Sequence, residues 1–267
     1  MKRFHKALLL LIAGYVFLYL PLIIVVVYSF NKSPVMSVWQ GFSWKWYHQL
    51  FENDALFSSV LASLKIASLS ATLAVILGTL AAVITVRFHS LKSKKLLQGM
   101  VASPLVMPDV MTGLALLLVF VSIQQTIGWP LERGVWSVTI AHVTLGMAYA
   151  YLVVQARLQD FDGSVEEAAL DLGARPFKVF RTITIPIIAP ALTSAWLLAF
   201  ALSLDDVVLA SFLSGPGATT LPMLIFSSIR LGMSPEINAL AAIIITVVMV
   251  IVSTIAIIAF RKKKSAL

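Results

Sequence analysis

The 267-residue chain contains no cysteine. That absence excludes disulfides, thiol nucleophiles and thiolate metal sites, while leaving the redox compartment open. The four histidines, His5, His48, His89 and His142, are scattered and fit no metal-ligand spacing, so no metal is expected. No glycine is followed directly by lysine, which excludes the phosphate-cradling GxxxxGK-S/T loop. Any ATP hydrolysis must therefore come from another chain, and no cofactor is expected in this one. Charge is also scarce: charged residues make up 12% of the chain, against about 25% in soluble domains.

What fills the chain instead is hydrocarbon. Hydrophobic residues reach 60% and the mean hydropathy is +0.95, values of an integral membrane protein. Six stretches are long enough to cross a bilayer at roughly 20 residues per crossing: 7–30, 66–86, 96–123, 134–155, 187–212 and 237–260. The first follows Lys2, Arg3 and Lys6 like a signal peptide, but it exceeds a signal's apolar region and no A-x-A site follows. A retained anchor is expected. The whole of residues 1–267 reads as one transmembrane domain.

The net charge of +8 does not suggest nucleic acid, because the basic residues are dispersed into short loops. With the N-terminus in the cytoplasm, the inner segments hold Lys2, Arg3, Lys6, Arg87, Lys92, Lys94, Lys95, Arg157, Arg175, Lys178, Arg181 and residues 261–264. That is fifteen of the twenty basic residues; Lys32, Lys45, Lys65, Arg133 and Arg230 remain outside. The positive-inside rule puts both termini in the cytoplasm. Residues 37–51 then lie on the outer face, where Trp39, Trp44, Trp46 and Tyr47 suit an interfacial belt or contact with a delivered cation.

Three carboxylates interrupt the apolar stretches: Asp109, Asp205 and Asp206. Each costs roughly 2.5 to 3.5 kcal/mol at the centre of a membrane helix, and no lysine or arginine lies deep in a span to pair them. Asp109 follows Pro108 with Pro104 one turn earlier, so the helix is expected to break near the middle third of its span. The aspartate there either caps the second half-helix or faces a cavity. Adjacent residues of a helix diverge by about 100°, so Asp205 and Asp206 do not share a face. In a continuous helix Asp206 joins a stripe of Ala195, Ala199, Ser203 and Ala210, which suits close packing or a pore wall. Capping or a structural hydrogen bond competes with a pathway role for Asp206, and Asp205 is less clearly placed. His142 reads as a buried, hydrogen-bonded histidine or as one facing the same cavity, and Glu236 as a first-turn acid favoured by the helix dipole or as a group at the outer mouth.

The longest inner loop, about residues 158–186, is amphipathic. Val165, Ala168, Ala169 and Leu172 repeat at helical spacing, Gly173 suits a C-terminal turn, and Pro176 suits the start of a second short helix carrying Phe177, Val179 and Phe180. Such a pair serves as a docking element or as a hairpin on the membrane surface.

Here the chain resembles a known family. Glu167-Ala168-Ala169, three residues, Gly173, nine residues, then Ile183-Thr184-Ile185-Pro186 is similar to the EAA loop of the membrane subunits of bacterial ATP-binding-cassette importers, with Ile185 where leucine is usual. The stretches SPLVMPDVMTGL (from Ser103), LSLDDVVLASFLSGPGATTLPM (from Leu202) and SPEINALA (from Ser234) resemble the polyamine branch, most closely the permeases of the putrescine system. The resemblance implies an all-α type I importer fold with six membrane helices and docking of Glu167, Ala168, Ala169, Gly173 and Pro186 against an ATPase. It also implies a second homologous permease, an ATPase dimer holding ATP and Mg, an external polyamine-binding protein, and a place in the bacterial inner membrane. Asp109, Asp206 and Asp205 are the candidate substrate-pathway residues. The same architecture carrying another small solute is the nearest alternative, and an ion-coupled carrier is a further one.

Overall fold

The computed structural model describes residues 2–35, 38–87, 93–130, 132–231 and 235–265. Ser37, His89, Lys92 and Ser234 lie outside the described residues, as do the side chain of His5 and those of Lys2, Arg3 and residues 261–264 that entered the charge count. The described residues form helices α1 (Lys2–Tyr28), α2 (Lys45–Glu52), α3 (Asp54–Arg87), α4 (Lys94–Ala102), α5 (Asp109–Ile127), α6 (Val135–Gln159), α7 (Ser164–Asp171) and α8 (Pro176–Val179). A π-helical turn (Phe180–Thr184) follows, then α9 (Ile185–Asp205), α10 (Val208–Leu213), α11 (Leu221–Leu231) and α12 (Pro235–Ser265). An isolated bridge between Asn31 and Phe42 is the one β contact among these residues.

Six segments are long and apolar enough to cross a membrane: Lys6–Tyr28, Asp54–Arg87, Asp109–Ile127, Val135–Gln159, Pro176–Asp205 and Pro235–Ile255. The expected all-α, six-span architecture is the observed one. Three of the shifts from the expected boundaries have a clear physical reason. α3 begins twelve residues early, at Asp54 rather than residue 66, and takes Lys65 into the helix, because nothing in residues 54–65 breaks helical geometry. The third crossing starts at Asp109, not residue 96. Pro104 and Pro108 end the preceding helix, and the 19 residues of α5 suffice alone, at about 28 Å. Asp109 thus opens a span instead of lying midway along one. The fifth crossing stops at Asp205, and Asp206 is extended (φ −72°, ψ 125°), so the helix expected through residue 212 is two helices.

The fold divides into two compact units, Met1–Phe57 with Ile225–Leu267, and Ser58–Leu224. In the first, α1 and α12 flank an apolar groove of about 780 Å3 that includes Tyr19, Ile23, Val27, Ile245 and Met249. The α1–α2 connection is held by Asn31. Its Nδ2 donates to the Val38 carbonyl (2.8 Å), its Oδ1 accepts from the Ser33 and Gln40 amides (3.2 and 3.0 Å), and its carbonyl accepts from Trp46 Nε1 (2.5 Å). Trp46 is therefore buried and does not join an interfacial belt; Trp39 and Trp44 are exposed. Glu236, in the first turn of α12, accepts from Asn53 Nδ2 at 3.0 Å.

In the second unit, α3, α6 and α9 meet through small residues. Ala71, Ala74, Ala82, Ala148, Ala150, Ala195 and Ala199 are buried. A Cβ on Gly78 would come within 2.8 Å of the Tyr151 amide nitrogen and 2.9 Å of the Met147 carbonyl, so the α3 and α6 backbones touch there. Between membrane helices, van der Waals packing replaces a hydrophobic driving force, and close approach requires such residues.

Candidate functional site

Two sites emerge. The first is the α7–α8 loop. Asp162 turns the chain into α7: Oδ1 accepts from the Ser164 amide (3.0 Å) and Oδ2 from the Ser164 hydroxyl (2.8 Å). Those bonds, the amide's foremost, hold the Asp162 carboxyl below its ordinary range. At the other end of α7, Gly173 adopts φ +81°; its amide donates to Leu170 (2.9 Å) and that of Ala174 to Ala169 (3.0 Å). This is a Schellman closure, and its left-handed residue is the reason for glycine. Pro176 then opens α8 as its spacing predicted. Leu172 and Phe177 are 89% and 75% exposed, and Glu167 is exposed beside them, whereas Val179 is buried. The loop presents apolar and acidic groups outward from two short helices joined at Gly173.

The second site is the break between α9 and α10. Asp206 accepts hydrogen bonds from the Leu209 and Ala210 amides (3.3 and 2.8 Å), so it caps α10. Its Oδ2 is also 3.1 Å from Nε2 of His142, whose Nδ1 is 2.6 Å from Ser203 Oγ; Ser70 donates in turn to Ser203 (3.1 Å). His142 is buried, as its sequence context suggested. If Ser70 donates to Ser203, Ser203 donates to Nδ1, leaving the proton on Nε2 to reach the carboxylate. A small pocket of about 10 Å3, room for one water, lies among His142, Ser203, Asp206, Gly146 and Ala199. Ala195, Ala199, Ser203 and Ala210 are buried, as the close-packing alternative has it, although the helix break changes how Asp206 joins the stripe.

The other two candidate carboxylates are not drawn into this network. Asp205 and Asp109 are exposed, and no hydrogen bond or ion pair joins either to Asp206 among the described residues. Asp109 makes no side-chain cap on α5. Nothing in the local sequence marks Ser203 as a partner of His142 or Ser70 as a partner of Ser203, and nothing but its place beside Glu167 marks Glu166, which lies 3.0 Å from Arg87 and accepts from Thr184.

The architecture is that of a multi-pass membrane component of a solute importer. The chain belongs to the binding-protein-dependent transport system inner membrane component family, whose profile matches residues 74–264. It is 55% identical over 236 residues to the putrescine transport system permease protein PotI of Escherichia coli K12, covering 88% of this chain and 84% of that protein. To the spermidine/putrescine transport system permease protein PotC of Haemophilus influenzae it is 40% identical over 252 residues, covering 94% and 95%. Among solved structures, a bacterial ABC transporter involved in import of the acidic polysaccharide alginate superposes with a TM-score of 0.73 at 19% identity, covering 98% of this chain and 96% of that one. That likeness shares the fold; the cargo is not carried over with it.

Proposed function

We propose that this chain is a permease subunit of an ATP-driven importer of polyamines, with putrescine as cargo. The cargo class is supported by two relatives, at 55% and 40% identity, named for putrescine and for spermidine with putrescine transport. The observation that carries the coupling role is the outward exposure of Leu172 and Phe177 on two short helices joined by a left-handed turn at Gly173. Such a surface is suited to a cleft on another protein.

In this reading the chain pairs with a second homologous permease in the bacterial inner membrane, both termini in the cytoplasm. The α7–α8 loop, with Glu167, Ala168, Ala169, Gly173 and Pro186, meets one of two ATPase subunits, which hold ATP and Mg. A polyamine-binding protein delivers cargo on the opposite side. The chain performs no covalent chemistry. Its part is to admit a dication that has shed some water, for which Asp206, with Asp109 and Asp205, supplies negative potential. A single deep well would trap the cargo, whereas carboxylates at different depths lower the barrier without doing so.

The test is uptake of labelled putrescine by the complete complex in proteoliposomes with its binding protein. Uptake should require ATP inside the compartment that holds the ATPase. Uptake driven by an ion gradient without ATP, or ATP hydrolysis stimulated by a different solute and not by polyamines, overturns the proposal.

A further inference from the structure

Two glutamates stand side by side at the start of α7 and face different ways. Glu167 is exposed, whereas the Glu166 side chain is only 16% exposed and turns inward. Its Oε2 lies 3.0 Å from Nε of Arg87, the last residue of α3, and its Oε1 accepts from Thr184 Oγ1 at 2.5 Å. Thr184 is buried at the end of the π-helical turn that leads into α9. The Arg87 guanidinium also lies 5.3 Å from the Phe161 ring. A Cβ at Gly163 would come within 3.3 Å of its Nη1, so the residue that leads into α7 lies against the arginine. One carboxylate thus ties three elements: the end of α3, the start of the coupling loop and the end of that loop.

We infer that Glu166 is the positioning residue that makes the coupling helices, the adjoining end of α3 and the entry to α9 move as one body. The inference rests on the importer reading above. An outward group such as Glu167 passes force only if its helix is fixed to the spans, and α7 and α8 are too short to fix themselves. The apolar side of the frame closes over a pocket of about 390 Å3 beside Val83, Leu170, Phe177 and Phe180, which leaves it room to yield. The polar tie of Glu166 to Arg87 and Thr184 is what removes that freedom. A partly buried charge pair backed by one hydrogen bond resists shear better than apolar contact, because sliding separates the charges and leaves the carboxylate without its threonine donor.

The experiment uses the complete importer in proteoliposomes and reads putrescine imported per ATP hydrolysed, with ATPase co-purification as the control for assembly. Glu166→Gln and Arg87→Gln should each lower that ratio roughly threefold to tenfold with the ATPase still bound, the range expected where a residue modulates coupling between sites. Thr184→Val, which keeps the side-chain shape, should lower it less. The exchange Glu166→Arg with Arg87→Glu should recover part of the loss, since the ion pair returns while the threonine bond does not. A role confined to stability would reduce complex yield or scale hydrolysis and uptake together, leaving the ratio fixed. An unchanged ratio in assembled Glu166→Gln and Thr184→Val complexes overturns the inference. If the unaltered complex shows no cargo-stimulated hydrolysis, the importer reading itself fails and this inference falls with it.

Discussion

His142 on α6 and Asp206 between α9 and α10 are joined at 3.1 Å, Nε2 to Oδ2, and this contact pins the first of the two non-helical residues within the fifth apolar stretch. The imidazole is held from its other side by Ser203. Asp206 is thereby committed to three donors, two amides and one ring nitrogen, before any cargo arrives. In the proposed import of a polyamine, an ammonium would meet a carboxylate whose charge is oriented but partly balanced, a condition that favours transit over capture.

That arrangement separates charge from capping. Asp206→Asn retains an acceptor for the α10 amides and removes the charge, so the complex should assemble while putrescine uptake falls roughly tenfold, the size expected from losing one charge-assisted contact. Asp206→Ala should in addition destabilise the subunit by about 0.5 to 2 kcal/mol. Uptake by proteoliposomes, normalised to assembled complex, checks both. Unchanged uptake in Asp206→Asn and in Asp109→Asn would make these groups structural.

His142→Phe fills similar volume but takes one partner from Ser203 and one from Asp206. The cost should be about 1 to 3 kcal/mol, read as a lower melting temperature of the purified complex. His142→Gln, which can still donate, should lose less. Equal melting temperatures for all three proteins would mean that the imidazole contacts carry no net stability.

Gly173→Val should impair ATPase co-purification while membrane insertion survives. The space around Gly173 is open, so the penalty comes from φ +81° alone, roughly 1 to 2 kcal/mol for an L residue in the left-handed region. Gly173→Asn should be milder, because asparagine visits that region more readily. The check is recovery of ATPase on a tagged permease.

Gly78→Leu should prevent α3 and α6 from closing, since even a Cβ meets the α6 backbone at 2.8 Å. Overpacking of this kind costs about 1 to 3 kcal/mol or more, and backbone cannot move aside as a flexible side chain does. Protease sensitivity of the membrane-inserted subunit should rise, and normal resistance would contradict the close contact.

Topology is checked by single cysteines in this cysteine-free chain. Cysteines at Ser43 and Ser93 should react with an impermeant thiol reagent from opposite sides of the membrane. Labelling of both from one side would sink the arrangement with both termini in the cytoplasm.

Sequence by itself determined the elements whose causes are local. Spans follow from runs of hydrocarbon long enough to satisfy their own backbone in lipid, and the breaks at Pro104, Pro108 and Gly173 follow from the geometry of single residues. The family match likewise lay in a short spacing, from Glu167 to Pro186. The tertiary structure decided what depends on partners distant in the chain. No local rule ends a helix at Asp205; the break gives the α10 amides a side-chain acceptor and lets His142, 64 positions earlier, meet that same carboxylate. Likewise Glu166 and Glu167 are identical in type and adjacent in sequence, and only the approach of Arg87, from the end of α3, turns one inward and leaves the other at the surface. Hydrophobic length and backbone sterics are written residue by residue, whereas the pairing of a polar group inside a membrane protein depends on which helices come close enough to answer it.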